Sequence, residues 1–203
     1  MADREYKSFV VDDVLSEDDW EELNKILVRG WNYMHVSQAG DYNKFWSNQF
    51  IQDEEIVQKI LPIFDKLVEE NYGKGYAMYR IYANAQTAGQ SSGIHRDSSL
   101  PDGKNEDGAI DPTIVFFPSV EWYASWGGFT TVFDEDGEVI DCVVPYPNRA
   151  FGFDGTFQHQ ALAPNSNCPK MRKVLTFKYT KESEAEGKKE RTKKRLEKIH
   201  NQL

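Results

Sequence analysis

Between Tyr76 and Tyr179 the chain divides into six short runs rich in β-branched and aromatic residues, each closed off by Gly, Pro, Asn or Asp. They cover residues 76–86, 112–117, 129–133, 138–144, 149–153 and 172–179. Runs this short cannot bury an apolar face alone, so they have to pair and stack as sheets. Asp136-Gly137, between two of them, is a strong hairpin signal.

Helical periodicity is confined to the first third of the chain. Ser16 opens a pattern that places Trp20, Leu23, Ile26 and Leu27 on one face, with Asp19 set to answer it as a capping-box acid. A second helix is expected over residues 53–72, where Ile56, Ile60, Phe64 and Leu67 recur at helical spacing. Pro62 should kink or split it. Helices first and strands after predict an α+β chain, mainly β, folded as a double-stranded β-helix (jelly roll) with the N-terminal helices packed on one sheet. One domain is expected over 1–180, with helical support in 1–75 and the β core in 76–180, and the 203-residue length suits it.

The tail, 181–203, is different. It carries eight Lys/Arg against five Asp/Glu, so it is +3 and the body −12 of a net −9. With almost no apolar face it reads as an exposed helix or a flexible terminus. So acidic a body is a poor match for phosphate backbones, which disfavours nucleic acid as partner. No stretch is apolar for long enough to span a bilayer, and residues 1–10 lack a signal-peptide run. With Cys142 and Cys168 as isolated thiols, the expected location is cytoplasmic.

Four histidines are present, at 35, 95, 159 and 200. In an extended segment His95 and Asp97 point to the same side, ~7 Å apart at Cα, and can converge on one ion. His159 follows the run 149–153, where a jelly roll can return a third ligand to the same pocket. Two imidazoles and one carboxylate on one face of an octahedron leave three positions open, which suits non-haem Fe(II). His35 and His200 have no sequence partners and no assigned role.

At this point the chain resembles the prolyl-4-hydroxylase-like branch of the Fe(II)/2-oxoglutarate oxygenases. The resemblance covers roughly residues 76–180 and rests on pieces in a fixed order. They are His95-Arg-Asp97, the glycine pair Gly127-Gly128 with Thr130 and Phe133, the segment Pro145–Asp154 with Asn148 where Gly is usual, His159, and then Arg172. It implies Fe(II) held by His95, Asp97 and His159, with 2-oxoglutarate and O2 as co-substrates. The far carboxylate of 2-oxoglutarate would meet a basic residue, Arg172 or its competitor Lys173, after a loop at 164–169 longer than the family's. Leu175, Phe177 and Tyr179 share a face with Lys173 and suit packing on the helices, leaving Arg172, Val174 and Thr176 toward the pocket.

Tyr82 and Asn84 are candidate co-substrate contacts, and Arg96 and Trp126 candidate substrate contacts. Trp122, Tyr123 and Trp126 suit either a substrate mouth or a satellite core, and the acidic run 102–111 suits a mobile lid. The implied reaction is hydroxylation of a prolyl residue in a peptide or protein, or of a small molecule. Retention of Asp97 separates the chain from halogenases of this fold. The alternatives are a non-catalytic jelly-roll binding module and a cupin-type metal enzyme without 2-oxoglutarate.

Overall fold

A computed structural model describes residues 6–37, 42–97 and 110–200. Its elements in chain order are strand β1 (Ser8–Val11), helix α1 (Glu17–Ile26), strands β2 (Asn32–His35) and β3 (Phe45–Asn48), and helix α2 (Glu55–Tyr72). There follow β4 (Tyr76–Gln86), β5 (Pro112–Phe117), β6 (Thr130–Phe133), β7 (Val139–Val143), β8 (Arg149–Asp154), β9 (Gln158–Ala161), β10 (Arg172–Lys181) and helix α3 (Glu182–His200).

The strands form two antiparallel sheets. The larger has the order β1-β8-β5-β10-β4-β3-β2, and the smaller has the order β7-β6-β9. Period-2 alternation separates the two faces of the larger sheet. One parity, with Ile81, Ala83, Ile114, Phe116, Leu175, Phe177 and Tyr179, packs on Leu23 of α1, on Leu27 at its C-cap and on Ile60, Phe64 and Val68 of α2. Phe64 stacks on Phe177 with ring centroids 3.9 Å apart. The other parity, with Val115, Phe117, Phe151, Phe153 and Val174, meets Val132, Val143 and Phe157. Those residues pack between the sheets, and Val115, Phe153 and Val174 also border a cavity.

Most expected elements are present, with instructive departures. Ser16 Oγ accepts from the Asp19 amide at 3.3 Å, as a cap should. The Asp19 carboxylate instead meets Lys59 of α2 at 2.7 Å. Helix α2 is not split: it runs through Pro62 as one 18-residue element. Pro62 and Gln58, whose carbonyl loses its donor, are both exposed, so solvent can take the orphaned group. Strands β1, β2, β3 and β9 escape the sequence reading. Each has only four residues, too few for alternation to register, and each is completed by its neighbour's ladder. Asn148 has φ +55, a left-handed position that glycine favours and asparagine tolerates. Its side-chain amide bonds both the N–H and the C=O of Leu15 at 2.9 Å.

The tail forms helix α3, but it is not simply exposed. Ala185, Lys188 and Leu196 are buried. Lys188 Nζ lies 2.9 and 3.1 Å from the two oxygens of Asp111, which is itself buried, and 2.7 Å from Thr180 Oγ1. A buried ion pair has replaced the missing apolar face as the anchor. Lys188→Met should therefore cost about 3 kcal/mol, because it strands the Asp111 carboxylate. Urea denaturation would measure it, and an unchanged midpoint would return α3 to the class of loosely attached tails. The acidic run expected as a lid lies outside the described residues except for Ile110 and Asp111. Among the described residues no helix is long and apolar enough to cross a membrane.

Candidate metal centre and cavity

His95 and His159 are brought together by backbone pairing. The His95 N–H donates to the His159 carbonyl at 3.0 Å and the His159 N–H to the His95 carbonyl at 2.8 Å. This bridge adds the His95 segment beside β9 and sets the two rings 4.4 Å apart. Two residues on, the Asp97 N–H donates to the Gly155 carbonyl at 2.7 Å. A Cβ at Gly155 would lie 2.7 Å from Thr113 Oγ1 and 3.0 Å from Asp97 Cβ, so only glycine allows this approach.

The rings are aimed as ligands. Nδ1 of His95 lies 2.9 Å from the Gly93 carbonyl, and Nδ1 of His159 lies 3.0 Å from the Phe157 carbonyl. A carbonyl can only accept, so each Nδ1 carries the proton and each Nε2 keeps its lone pair. Both Nε2 atoms face Asp97 Oδ1, at 3.8 Å from His95 and 3.6 Å from His159. Neighbouring donors around an ion at ~2.1 Å stand ~3 Å apart, so a small contraction suffices. Burial and the neighbouring His159 push the His95 pKa down to about 4, which keeps the imidazole neutral. Burial alone would raise the Asp97 carboxyl, but the Lys178 ammonium and His159 overcome it and hold it well below its usual range. Two imidazoles and a carboxylate gathered this closely are kinds of donor that fit a divalent iron with open positions.

Asp97 is fixed from two sides. Thr113 Oγ1 donates to Oδ2 at 2.7 Å, and Lys178 Nζ donates to Oδ1 at 2.5 Å. Neither partner was found by the sequence reading. The sequence does carry a signal for Lys178, since 172, 174, 176 and 178 are one parity of β10.

The triad opens on a cavity of about 300 Å³ between the sheets. Its floor is a set of cross-strand pairs from β4 and β10: Gln86 with Arg172, Asn84 with Val174, Tyr82 with Thr176, and Arg80 with Lys178. Arg172 is 1% exposed. Its Nε–H donates to the Gly128 carbonyl at 2.5 Å, Nη1 to Gln86 Oε1 at 3.0 Å and Nη2 to Thr130 Oγ1 at 2.7 Å. Among the described residues no carboxylate meets it, and burial pushes its pKa down to about 9. The glycine pair has a physical task here. Gly128 has φ +76, and a Cβ on it would stand 2.9 Å from Trp122 and 3.2 Å from Arg172 Cδ.

Of the remaining candidates, Tyr82 and Asn84 line the cavity. Asn84 Oδ1 is buried without a hydrogen-bond partner. Arg96 reaches the cavity too, tied to Glu135 Oε2 at 2.9 Å and the Thr156 carbonyl at 2.6 Å. Lys173, of the opposite parity, does not line it. Neither does Trp126, expected as a substrate contact. It packs edge-on against Trp122 and Tyr123, and its carbonyl accepts from the Asn165 amide at 2.7 Å. The long loop after β9 thus clamps a satellite aromatic cluster.

No protein-family model and no curated protein matches the sequence. Solved structures do match the fold. A Pseudomonas putida prolyl-4-hydroxylase overlays with TM-score 0.67 over 87% of this chain and 93% of that one, at 16% identity. A prolyl hydroxylase from Trichoplax adhaerens, in complex with a hypoxia inducible factor peptide fragment, overlays with TM-score 0.64 over 90% and 86%, at 15% identity. HygX from Streptomyces hygroscopicus, with nickel and 2-oxoglutarate bound, gives 0.63 over 87% and 84%, at 11% identity. With helices on its larger sheet and a His-Asp-His cluster between the sheets, the chain has the double-stranded β-helix fold of the 2-oxoglutarate–Fe(II) oxygenases.

Proposed function

We propose that the protein is an Fe(II)- and 2-oxoglutarate-dependent dioxygenase that hydroxylates an organic substrate. The observation that carries this reading is Arg172, a buried guanidinium with no carboxylate partner among the described residues, in the same cavity as the His95, Asp97 and His159 donors. A buried cation is costly unless an anion meets it, and 2-oxoglutarate has one carboxylate to spare after chelating a metal. Of the five guanidinium N–H groups, three are engaged by Gly128, Gln86 and Thr130, leaving two to fork onto a carboxylate. A binding module or a cupin-type enzyme without 2-oxoglutarate would have no use for this residue.

His95, Asp97 and His159 would hold the iron. Once bound, iron with 2-oxoglutarate and O2 supplies oxidative decarboxylation to succinate and CO2, coupled to insertion of one oxygen atom into a C–H bond. The chain supplies orientation and exclusion of water. Thr113 fixes the rotation of the Asp97 carboxylate, leaving Oδ1 toward the imidazoles. Val115, Phe153 and Val174 form the apolar part of the wall. Tyr82 and Asn84 present polar groups beside the co-substrate path. The prolyl-4-hydroxylase likeness supports a prolyl residue of a peptide or protein as substrate, with a small molecule as the other class. Cys142 and Cys168 are both free thiols, which suits a cytoplasmic location.

Anaerobic titration of the purified apoprotein with Fe(II), then 2-oxoglutarate, tests the reading. The expected result is the weak visible charge-transfer band of the chelate. Iron binding without the band would leave a metal jelly roll of another kind, and binding of neither would favour the binding module.

A further inference from the structure

Four buried polar atoms without hydrogen-bond partners belong to residues in or against one wall of the cavity: Ser37 Oγ, Gln49 Nε2, Arg80 Nε and Asn84 Oδ1. Ser37, Arg80 and Asn84 line the cavity, and Gln49 Oε1 accepts from Arg80 Nη2 at 2.6 Å. Buried groups left unpaired cost free energy, so a concentration of them marks where a ligand's polar groups belong.

Charge narrows what that ligand carries. Arg80 and Lys178 are direct cross-strand partners, and both face the cavity. Like charges opposite each other on one face of a sheet repel unless an anion lies between them. Among the described residues Arg80 has no carboxylate: its guanidinium lies over the Tyr82 ring, 4.3 Å from the centroid, and its Nε–H points at nothing. Lys178 has one, Asp97, and uses Oδ1, the oxygen that also faces both imidazoles. Asp97 is the sole carboxylate among the described residues lining the cavity. Once Asp97 serves a divalent metal, Lys178 is left between that metal and Arg80 with no anion of the chain to itself. Arg96 is neutralised by Glu135, and Arg172 lies six positions along the same strand, ~20 Å away at Cα.

We propose that Arg80 and Lys178 form a subsite for a carboxylate on the substrate, which selects acidic molecules over neutral ones and sets the carboxylate beside the metal. This rests on the reading that metal and 2-oxoglutarate occupy the rest of the cavity. The anion is additional to 2-oxoglutarate, whose far carboxylate is assigned to Arg172.

The test uses the protein loaded with Fe(II) and saturating 2-oxoglutarate under anaerobic conditions, with propionate and propionamide as probes in calorimetry. Propionate should bind in the millimolar range and at least about tenfold tighter than propionamide, with the charge-transfer band retained. Arg80→Gln and, separately, Lys178→Met should each remove the preference. Arg80→Gln is the cleaner variant because Arg80 does not touch the triad. A short acetylated and amidated peptide whose single carboxylate is a glutamate side chain distinguishes the sources. Binding as tight as propionate assigns an acidic peptide; weaker binding assigns a small free acid. Equal binding of propionate and propionamide, no propionate binding at tens of millimolar, or variants that keep the preference would overturn the subsite. Loss of the band on adding propionate would give the two cations to 2-oxoglutarate and overturn it as well. Failure of the metal reading is visible separately, as absence of the band before any probe is added.

Discussion

His159→Ala is expected to weaken Fe(II) binding by more than about 100-fold and to abolish iron-dependent succinate formation. The magnitude follows from comparison with outer partners: removing a group that merely orients a metal ligand costs ~10–100-fold, and a direct ligand is worth more. The variant should still fold. What ties residue 159 to residue 95 is a pair of backbone hydrogen bonds at 3.0 and 2.8 Å, which alanine makes as well as histidine. The side chain lies against Phe153 and beside the His95 ring, at the edge of a cavity instead of in a packed core. Asp97 would keep its bonds to Thr113 and Lys178, so no buried carboxylate is stranded. Iron binding by calorimetry, with circular dichroism as the fold control, checks the expectation. Iron binding at the original affinity would falsify the triad.

The cluster of His95, Asp97 and His159 was legible in the sequence for a reason that does not extend to its surroundings. An HxD pair alone is common by chance; the fixed order of the glycine pair, the distal histidine and the basic residue after it is what singled out His95, Asp97 and His159. The partners of Asp97 are ordinary residues whose importance comes only from register. Thr113 is the second residue of β5 and reads as a β-former; it is paired in space with Gly155 and Asp97 by a close approach that no local pattern announces. Lys178 sits among Phe177 and Tyr179 and looks like a surface charge until the helices are seen to cover one face of β10 and the cavity to lie on the other. The alternation that turns Arg172 and not Lys173 toward the cavity also points Lys178 inward.

The missed strands share a cause. Residues 8–11 have a half-exposed pattern that carries no signal until β8 supplies the partner, and β9 contains Gln-His-Gln, a poor strand by propensity held between β6 and the His95 segment. Tertiary pairing overrides local preference in both. The tail is the expected helix, and hydrophobicity alone does not show how it is anchored. Lys188 is buried through charge, opposite an aspartate 77 residues away, and no sequence pattern links the two. Trp126 lies apart from the cavity lining. A loop aromatic invites a binding role, but the insertion at 164–169 supplies Pro164 and Asn165 to cover the segment.

Arg172→Ala is expected to leave iron binding intact and to raise the 2-oxoglutarate dissociation constant by about 100-fold or more. Two charge-assisted hydrogen bonds to a carboxylate, at ~1.5–3 kcal/mol each, set the scale. The buried carboxylate would also lose its counterion, so the lower bound is the conservative one. Iron should be unaffected because Arg172 makes no contact with His95, Asp97 or His159; its partners are Gly128, Gln86 and Thr130. The apoprotein should lose little stability, since the bonds to those partners are offset by relief of a buried charge. The depression of the Arg172 pKa to about 9 by burial alone points the same way. The sign is consistent: a cation whose folded pKa is lowered opposes folding at pH values below its unfolded pKa, so removing it takes away a cost. Arg172→Lys separates charge from geometry, because an ammonium keeps the attraction and loses the fork; an affinity between those of the original and alanine forms is expected. Equilibrium titration of the charge-transfer band measures all three proteins. Unchanged 2-oxoglutarate affinity in the alanine variant would move the anchor to another cavity cation. Lys178 would be first in line, since Lys173 does not line the cavity, and the carboxylate subsite argued above would then have to be given up.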